Sequence, residues 1–315
     1  MDLSASDISQ LVHHPSRRRS RTAARLRDRC VRGLLLACSA LSVFITFTII
    51  VVLLRESIRF FGLDSVRFAD FVGGTKWSPL IGGEIGVWPL VCGTLLVTGV
   101  AMVVALPLGM VTAIYLSEYA SRRLRSILKP TLEVLAGIPT VVYGYFALMV
   151  ITPGLKFLHE GFNIYNALSA GIAVGILCLP TVCSLAEDAL RAVPRSLRDA
   201  AYGLGATRFD VATTVVVPAA LSGIVSACLL SISRAIGETM IVALAAGATA
   251  RMTLDPRQEV QTMTGWIVQM CLGDASHQGM GYFSMYAVAA VLFLITFSLT
   301  VIGTLVRNRF REEYQ

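Results

Sequence analysis

The residues "SRAIGETM", 233 to 240, place Arg234 and Glu238 four positions apart in a stretch otherwise made of small and aliphatic side chains. An ionisable residue at the centre of a membrane span costs at least about 2.5–3.5 kcal/mol on insertion scales, so it marks a function by default. On a continuous helix the two side chains lie about 40° apart on one face. Ala227, Ser231 and Ala235 fall on or near that face and leave room beside the arginine for a second helix or a solute. Two readings follow, a neutralised pair that locks helix to helix or a pair that lines an anion pathway. Arg before Glu is the weaker order for a helical pair, and buried pairs stabilise poorly compared with apolar packing, which favours the pathway. A guanidinium fork matches two oxygens of a tetrahedral oxyanion and keeps its proton. The hydroxyls of Ser231 and Thr239 complete the candidate pathway set.

The chain that must position these residues has 315 residues, 55% of them hydrophobic and only 15% charged. Its mean hydropathy is +0.69. Soluble domains carry about a quarter charged residues, so the balance indicates a membrane protein. The formal net charge is +7, and Lys76, Lys129 and Lys156 are the only lysines. The arginines gather at the ends of apolar runs, which indicates orientation in a membrane rather than nucleic-acid binding. Cysteines 30, 38, 92, 178, 183, 228 and 271 are scattered and do not combine with the histidines, so neither a metal site nor a disulfide is expected. The sequence contains no G-x-x-x-x-G-K-[ST] phosphate loop and no Ser/His/Asp or Cys/His arrangement. The chain is therefore expected to be no enzyme, with its energy supplied by a partner.

A crossing helix needs about 20 mostly apolar residues. Stretches free of Asp, Glu, Lys and Arg run over 33–54, 85–117, 134–155, 161–186, 211–233 and 275–306. The first is too long for a signal peptide and lacks an A-x-A cleavage site, so it is expected to be retained. Segment 211–250 counts as one crossing or two, and the distribution of basic residues decides. The tail up to Arg32, the 119–130 loop, the 187–210 loop and the C-terminus hold 19 basic residues, against seven in the other connections. They share one side only with six crossings and both termini in the cytoplasm. The expected organisation is an Arg-rich tail over 1–30, a membrane domain over 31–310 with an interior loop at about 187–212, and a tail over 311–315. With entry at Pro218, Arg234 lies about 24 Å along the helix.

The interior loop opens at Glu187 and contains Asp199-Ala200-Ala201, three residues, Gly205, nine residues, and Val215-Val216-Val217-Pro218. Ser196 is expected to cap a short helix through Leu197, Ala200, Ala201 and Leu204, ended by Gly203 and Gly205. This spacing resembles the EAA signature of bacterial ABC-importer permeases, with Asp for Glu and Val for both Ile and Leu. "GTLLVTGVAMVVALPLGMVTAIYLSEYA" (93–120), "LEVLAGIPTVVYGYFAL" (132–148), "EDALRAVPRSLRDAAYGLGATR" (187–208) and "SRAIGETM" together resemble phosphate-specific permeases. "GETM" and "TMTGWIVQMCLGDA" (262–275) look PstC-type rather than PstA-type, and the resemblance covers about residues 85–310.

The resemblance implies an all-α polytopic protein with six transmembrane helices and the MetI-like permease fold, in the cell inner membrane. It implies a second, PstA-like permease, two ATP-binding subunits and an extracytoplasmic phosphate-binding protein. ATP and Mg would sit on the partner ATPase, with no cofactor on this chain. The short helix of the loop would be the coupling helix, seated on the ATPase through Asp199, Ala200, Ala201 and Gly205, with Glu187 and Pro218 at the loop's ends. Phosphate keeps a P–OH that an ionised Glu238 accepts as a hydrogen bond, whereas sulfate at neutral pH offers none. The alternatives are a molybdate or sulfate permease, or a membrane signalling protein whose loop binds a sensor. The tail "SRRRSRTAARLRDR" (16–29) fits anchoring to the lipid surface.

Overall fold

The computed structural model describes residues 21–80, 82–273 and 279–309. Most of the expected N-terminal tail and all of 311–315 lie outside the described residues. Helix α1 spans Arg21–Phe61 and so begins ten residues ahead of the expected start of the membrane domain at 31. Ala23, Ala24, Leu26 and the intervening arginines are strong helix formers and carry the helix into the basic segment. From Asp28 to Ile49 every residue of α1 is exposed. Its apolar side chains suit lipid, and the Thr46 and Thr48 hydroxyls donate to the carbonyls of Ser42 and Phe44 at 3.0 and 2.8 Å, which satisfies them within the helix.

The chain divides into two compact units between Val52 and Leu53. In the second, a short helix α2 (Phe68–Gly73) and a two-residue hairpin, β1 (Trp77–Ser78) with β2 (Glu84–Ile85), follow α1. The hairpin pairs Trp77 with Ile85 antiparallel. Edge-to-face contacts join Phe60 of α1 to Phe71 of α2 at 5.9 Å and Trp77 of the hairpin to Trp266 at 5.3 Å. Helix α3 (Trp88–Ile114) runs on as a π-helical turn over Tyr115–Tyr119. Then come the amphipathic α4 (Arg122–Ala136) and the spans α5 (Thr140–Leu158) and α6 (Ala167–Ala192). Helix α7 (Arg195–Gly203) is short; α8 (Arg208–Ala219) and α9 (Leu221–Ile236) follow it. The chain ends with α10 (Met240–Ala245), α11 (Met263–Leu272) and α12 (Met280–Arg309).

Five described helices are long and apolar enough to cross a membrane, and the bent pair α8–α9 makes a sixth. The expected all-α, multi-span class holds; the hairpin is a local exception. Helices α3 and α6 pack most closely. Gly171 and Gly175 form a G-x-x-x-G step on α6, and a methyl group at Gly175 would lie 2.9 Å from the Ala101 carbonyl oxygen of α3. Glycines at that spacing let two backbones approach within a membrane. Asn166 caps α6, its Oδ1 accepting the Ser169 N–H at 2.7 Å. The next orphan donors, the N–H groups of Ala167 and Leu168, reach the Gln258 and Pro256 carbonyls of the 246–262 connection at 3.1 and 2.8 Å.

The segment expected as one straight crossing, 211–250, is broken twice. Between α8 and α9 the axis turns by 72°. Pro218 lacks an N–H, and the preceding turn, Val211–Val216, widens to π-helical spacing, so the ladder weakens at that point. Arg234 therefore lies 13 residues along a new axis from Leu221, about 20 Å, not on a straight line from Pro218. The second break falls at the candidate site.

Candidate functional site

Helix α9 ends at Ile236 and α10 starts at Met240, so Arg234 and Glu238 do not share a helix face as i and i+4 residues. Three residues make the break. Gly237, a poor helix former, closes α9 with its N–H on the Ser233 carbonyl at 3.2 Å. The Glu238 carbonyl is taken from outside the ladder by the Thr264 hydroxyl of α11, at 2.7 Å. The Glu238 carboxylate turns to the start of α10 and accepts the Ile241 N–H at 3.4 Å. A carboxylate suits that place because it meets orphan N–H groups and the positive end of the peptide dipoles. The Thr239 hydroxyl donates to the Gly237 carbonyl at 3.1 Å.

Glu238 is thus a buried local cap, 9% exposed, while Arg234 is exposed in this chain. Among the described residues Arg234 pairs with no carboxylate, so the neutralised-pair reading has no contact behind it. Helix α9 packs on α6, where the Cys178 Sγ lies 4.0 Å from the Ser231 carbonyl oxygen. The face of small residues is already occupied: Ala227, Ser231 and Ala235 are at most 3% exposed, and α9 lies against α6. Arg234 itself is exposed. Ser231 is fully buried, and its Oγ has no hydrogen-bond partner among the described residues.

The Asp199-Ala200-Ala201 residues do lie on a short helix, α7. Its N-cap is Pro194, and Ser196 is already inside the first turn; a proline at this place has no N–H to leave unmet. Gly205 ends the turn with φ +87°, a conformation suited to glycine. A capping box then restarts the chain as α8: Thr207 Oγ1 accepts the Asp210 N–H at 3.3 Å, and Asp210 Oδ2 accepts the Thr207 N–H at 3.0 Å. Leu197 and Ala201 pack inward on a cluster that includes Leu190, Val193 and Val211. Asp199 and Ala200 are exposed, as are Tyr202 and Leu204, the last at 90%. With Phe209 also exposed, the tip of this helix is an apolar surface of the kind that marks a partner site.

Glu187, expected in the loop, is a residue of α6 instead. The helix continues to Ala192 because Ala186 and Leu190 bury its inner face, and the Glu187 side chain is 1% exposed. It pairs with Arg125 and, at 3.1 Å, with Lys129 of α4, and Lys129 also holds Asp188 at 2.8 Å. Its position makes it a staple between α4 and α6. Pro218 lies beyond the loop, at the bend between α8 and α9. The sequence reading missed Glu118 and Arg198, which pair across the base of α7. The one available signal was Glu118, the first charge after the apolar run 85–117.

A set of apolar spans, one of them broken beside an arginine that pairs with no carboxylate among the described residues, defines a multi-pass membrane protein. Residues 105–312 match the family model described as "Binding-protein-dependent transport system inner membrane component", and the chain belongs to that family. It is 30% identical over 270 residues to the "Probable ABC transporter permease protein YqgH" of Bacillus subtilis, covering 85% of this chain and 87% of that one. It is 32% identical to "Phosphate transport system permease protein PstA 1" of Mycobacterium tuberculosis, over 70% of each chain. It is 30% identical to "Phosphate transport system permease protein PstC" of Mesorhizobium japonicum, over 74% and 76%. Among solved structures, the fold is similar to that of a bacterial ABC transporter that imports alginate, with TM-score 0.62 and 15% identity, over 91% of this chain and all of that one. The inward-facing MetNI methionine transporter is also similar, with TM-score 0.53 and 18% identity, over 72% and 95%.

Proposed function

We propose that this chain is the permease subunit of an ATP-driven importer of inorganic phosphate. The observation that carries the reading is Arg234, a permanent cation at the break of an apolar span with no carboxylate to meet it among the described residues. A charge in such a place needs an anion from elsewhere. A tetrahedral oxyanion fits the guanidinium fork, and two of the relatives described above are named as phosphate transport permeases. Relatives of both PstA and PstC names match, and the "GETM" and 262–275 stretches favour the PstC type.

In this reading a PstA-like permease completes the pore, two ATP-binding subunits dock on α7, and an extracytoplasmic phosphate-binding protein delivers the anion. Both termini face the cytoplasm, and ATP and Mg stay on the partner ATPase. ATP binding draws α7, and through α8 the helix α9, toward an outward-open arrangement; hydrolysis resets it. Contact at Arg234 is weak and transient, as transport requires.

Glu238 uses one carboxylate oxygen on Ile241, and among the described residues its Oε2 has no hydrogen bond. That oxygen accepts the P–OH of phosphate and finds no partner on sulfate. Glu238→Gln in the whole transporter is expected to reduce the preference for phosphate over sulfate by about tenfold, the size of one hydrogen bond to a charged group. Competition of sulfate against labelled phosphate uptake measures it. Uptake and sulfate exclusion both at wild-type values would end the discriminating role.

A further inference from the structure

Helix α7 has no fully buried residue, yet one of its side chains reaches into two spans. Arg198 is 17% exposed. Its Nη2 donates to the Leu190 carbonyl near the end of α6 at 2.7 Å. Its Nη1 lies 3.2 Å from Oε1 of Glu118, whose side chain is 6% exposed. Glu118 belongs to the π-helical turn that ends α3, and the Ser117 hydroxyl donates to its Oε1 at 2.7 Å. Such wide turns recur at functional positions. A guanidinium is the side chain able to serve a carbonyl and a carboxylate at once with a planar fork.

Two routes therefore lead from α7 into the membrane. The covalent one passes Gly205, the Thr207–Asp210 box and the 72° bend to α9 and Arg234. The other is the Arg198 guanidinium, which ends on α3 and α6 together. Close packing at Gly175 makes those two spans one body, so a displacement delivered to Glu118 or Leu190 moves both. A buried ion pair is a poor stabiliser compared with apolar packing, and stability alone gives little reason for one here. We propose that Arg198 and Glu118 are a positioning pair: they make movement of α7 displace the α3–α6 body along with α9, so that ATP hydrolysis is tied to opening of the pathway. This rests on the reading of α7 as the ATPase-docking helix.

The test uses the complete transporter in proteoliposomes, with both permeases, the ATPase subunits and the binding protein. Two quantities are read, ATP hydrolysed per phosphate taken up and ATPase retained on purification. Glu118→Gln and Arg198→Gln are each expected to raise the ratio by about tenfold with the ATPase retained. The exchange Glu118→Arg with Arg198→Glu is expected to recover part of the coupling, and Arg198→Lys to fall between wild type and Arg198→Gln. The double variant Glu118→Gln with Arg198→Gln leaves no unpaired buried charge, so it serves where a single variant does not assemble. A wild-type ratio in the assembled single or double variants overturns the proposal. Loss of the ATPase from all of them also overturns it, because the pair then serves docking. Failure of the docking reading itself is seen separately, as ATPase retained after substitution at the tip of α7.

Discussion

Arg234→Gln is expected to lower phosphate uptake by about a hundredfold, the effect of removing one member of a desolvated charge contact. The chain itself supplies the argument. Arg234 is exposed where α9 stops, Glu238 is turned away to cap α10, and no other carboxylate pairs with the guanidinium among the described residues. The substitution removes no internal ion pair, so assembly with the ATPase is expected to stay at the wild-type level. Arg234→Lys should recover part of the rate, because a point charge keeps the attraction and loses the two-oxygen fit. Initial rates of labelled phosphate uptake give the result. Wild-type rates from Arg234→Gln would remove the arginine from the pathway.

The second large effect is expected at the tip of α7. Leu204 is 90% exposed, so Leu204→Asp disturbs no packing in this chain and its level in the membrane should not change. If the tip is seated in the ATPase, the same substitution buries an unpaired carboxylate at the centre of an interface, where a hot-spot residue costs about 2 kcal/mol or more. Co-purification of the ATPase is expected to be lost, and phosphate uptake with it. Ala201 is a poorer probe, because it packs on the cluster around Leu190 and Val211, and a bulky residue there strains this chain's own core. An intact complex carrying Leu204→Asp would contradict the docking role.

The parts of this structure that depend on neighbours in sequence were legible from sequence. Run length gave the spans, because about 20 apolar residues are what a bilayer demands. Asp199-Ala200-Ala201 with Gly205 gave the short helix and its end, because glycine alone readily takes the left-handed turn. The parts set by distant partners were not. The helix break at Gly237–Thr239 depends on a hydroxyl 26 residues away, Thr264, and without it the "SRAIGETM" pattern reads as an unbroken helix. The apolar run stops at Glu187, yet α6 continues through it because Leu190 has a core to bury in. Arg198 and Glu118 stand 80 residues apart, and no local pattern joins them. The partner that the Gly171–Gly175 step meets on α3 is likewise distant in the chain.

The most direct measurement of the central claim is transport by the unaltered chain. Cells lacking their own phosphate importers would be supplied with this permease, its PstA-like partner, the ATPase and the binding protein. Labelled phosphate uptake would then be compared with labelled sulfate and molybdate uptake. The account predicts ATP-dependent accumulation of phosphate that neither of the other anions matches or suppresses at equal concentration. Accumulation of sulfate or molybdate in place of phosphate, or no uptake from a fully assembled complex, would contradict it.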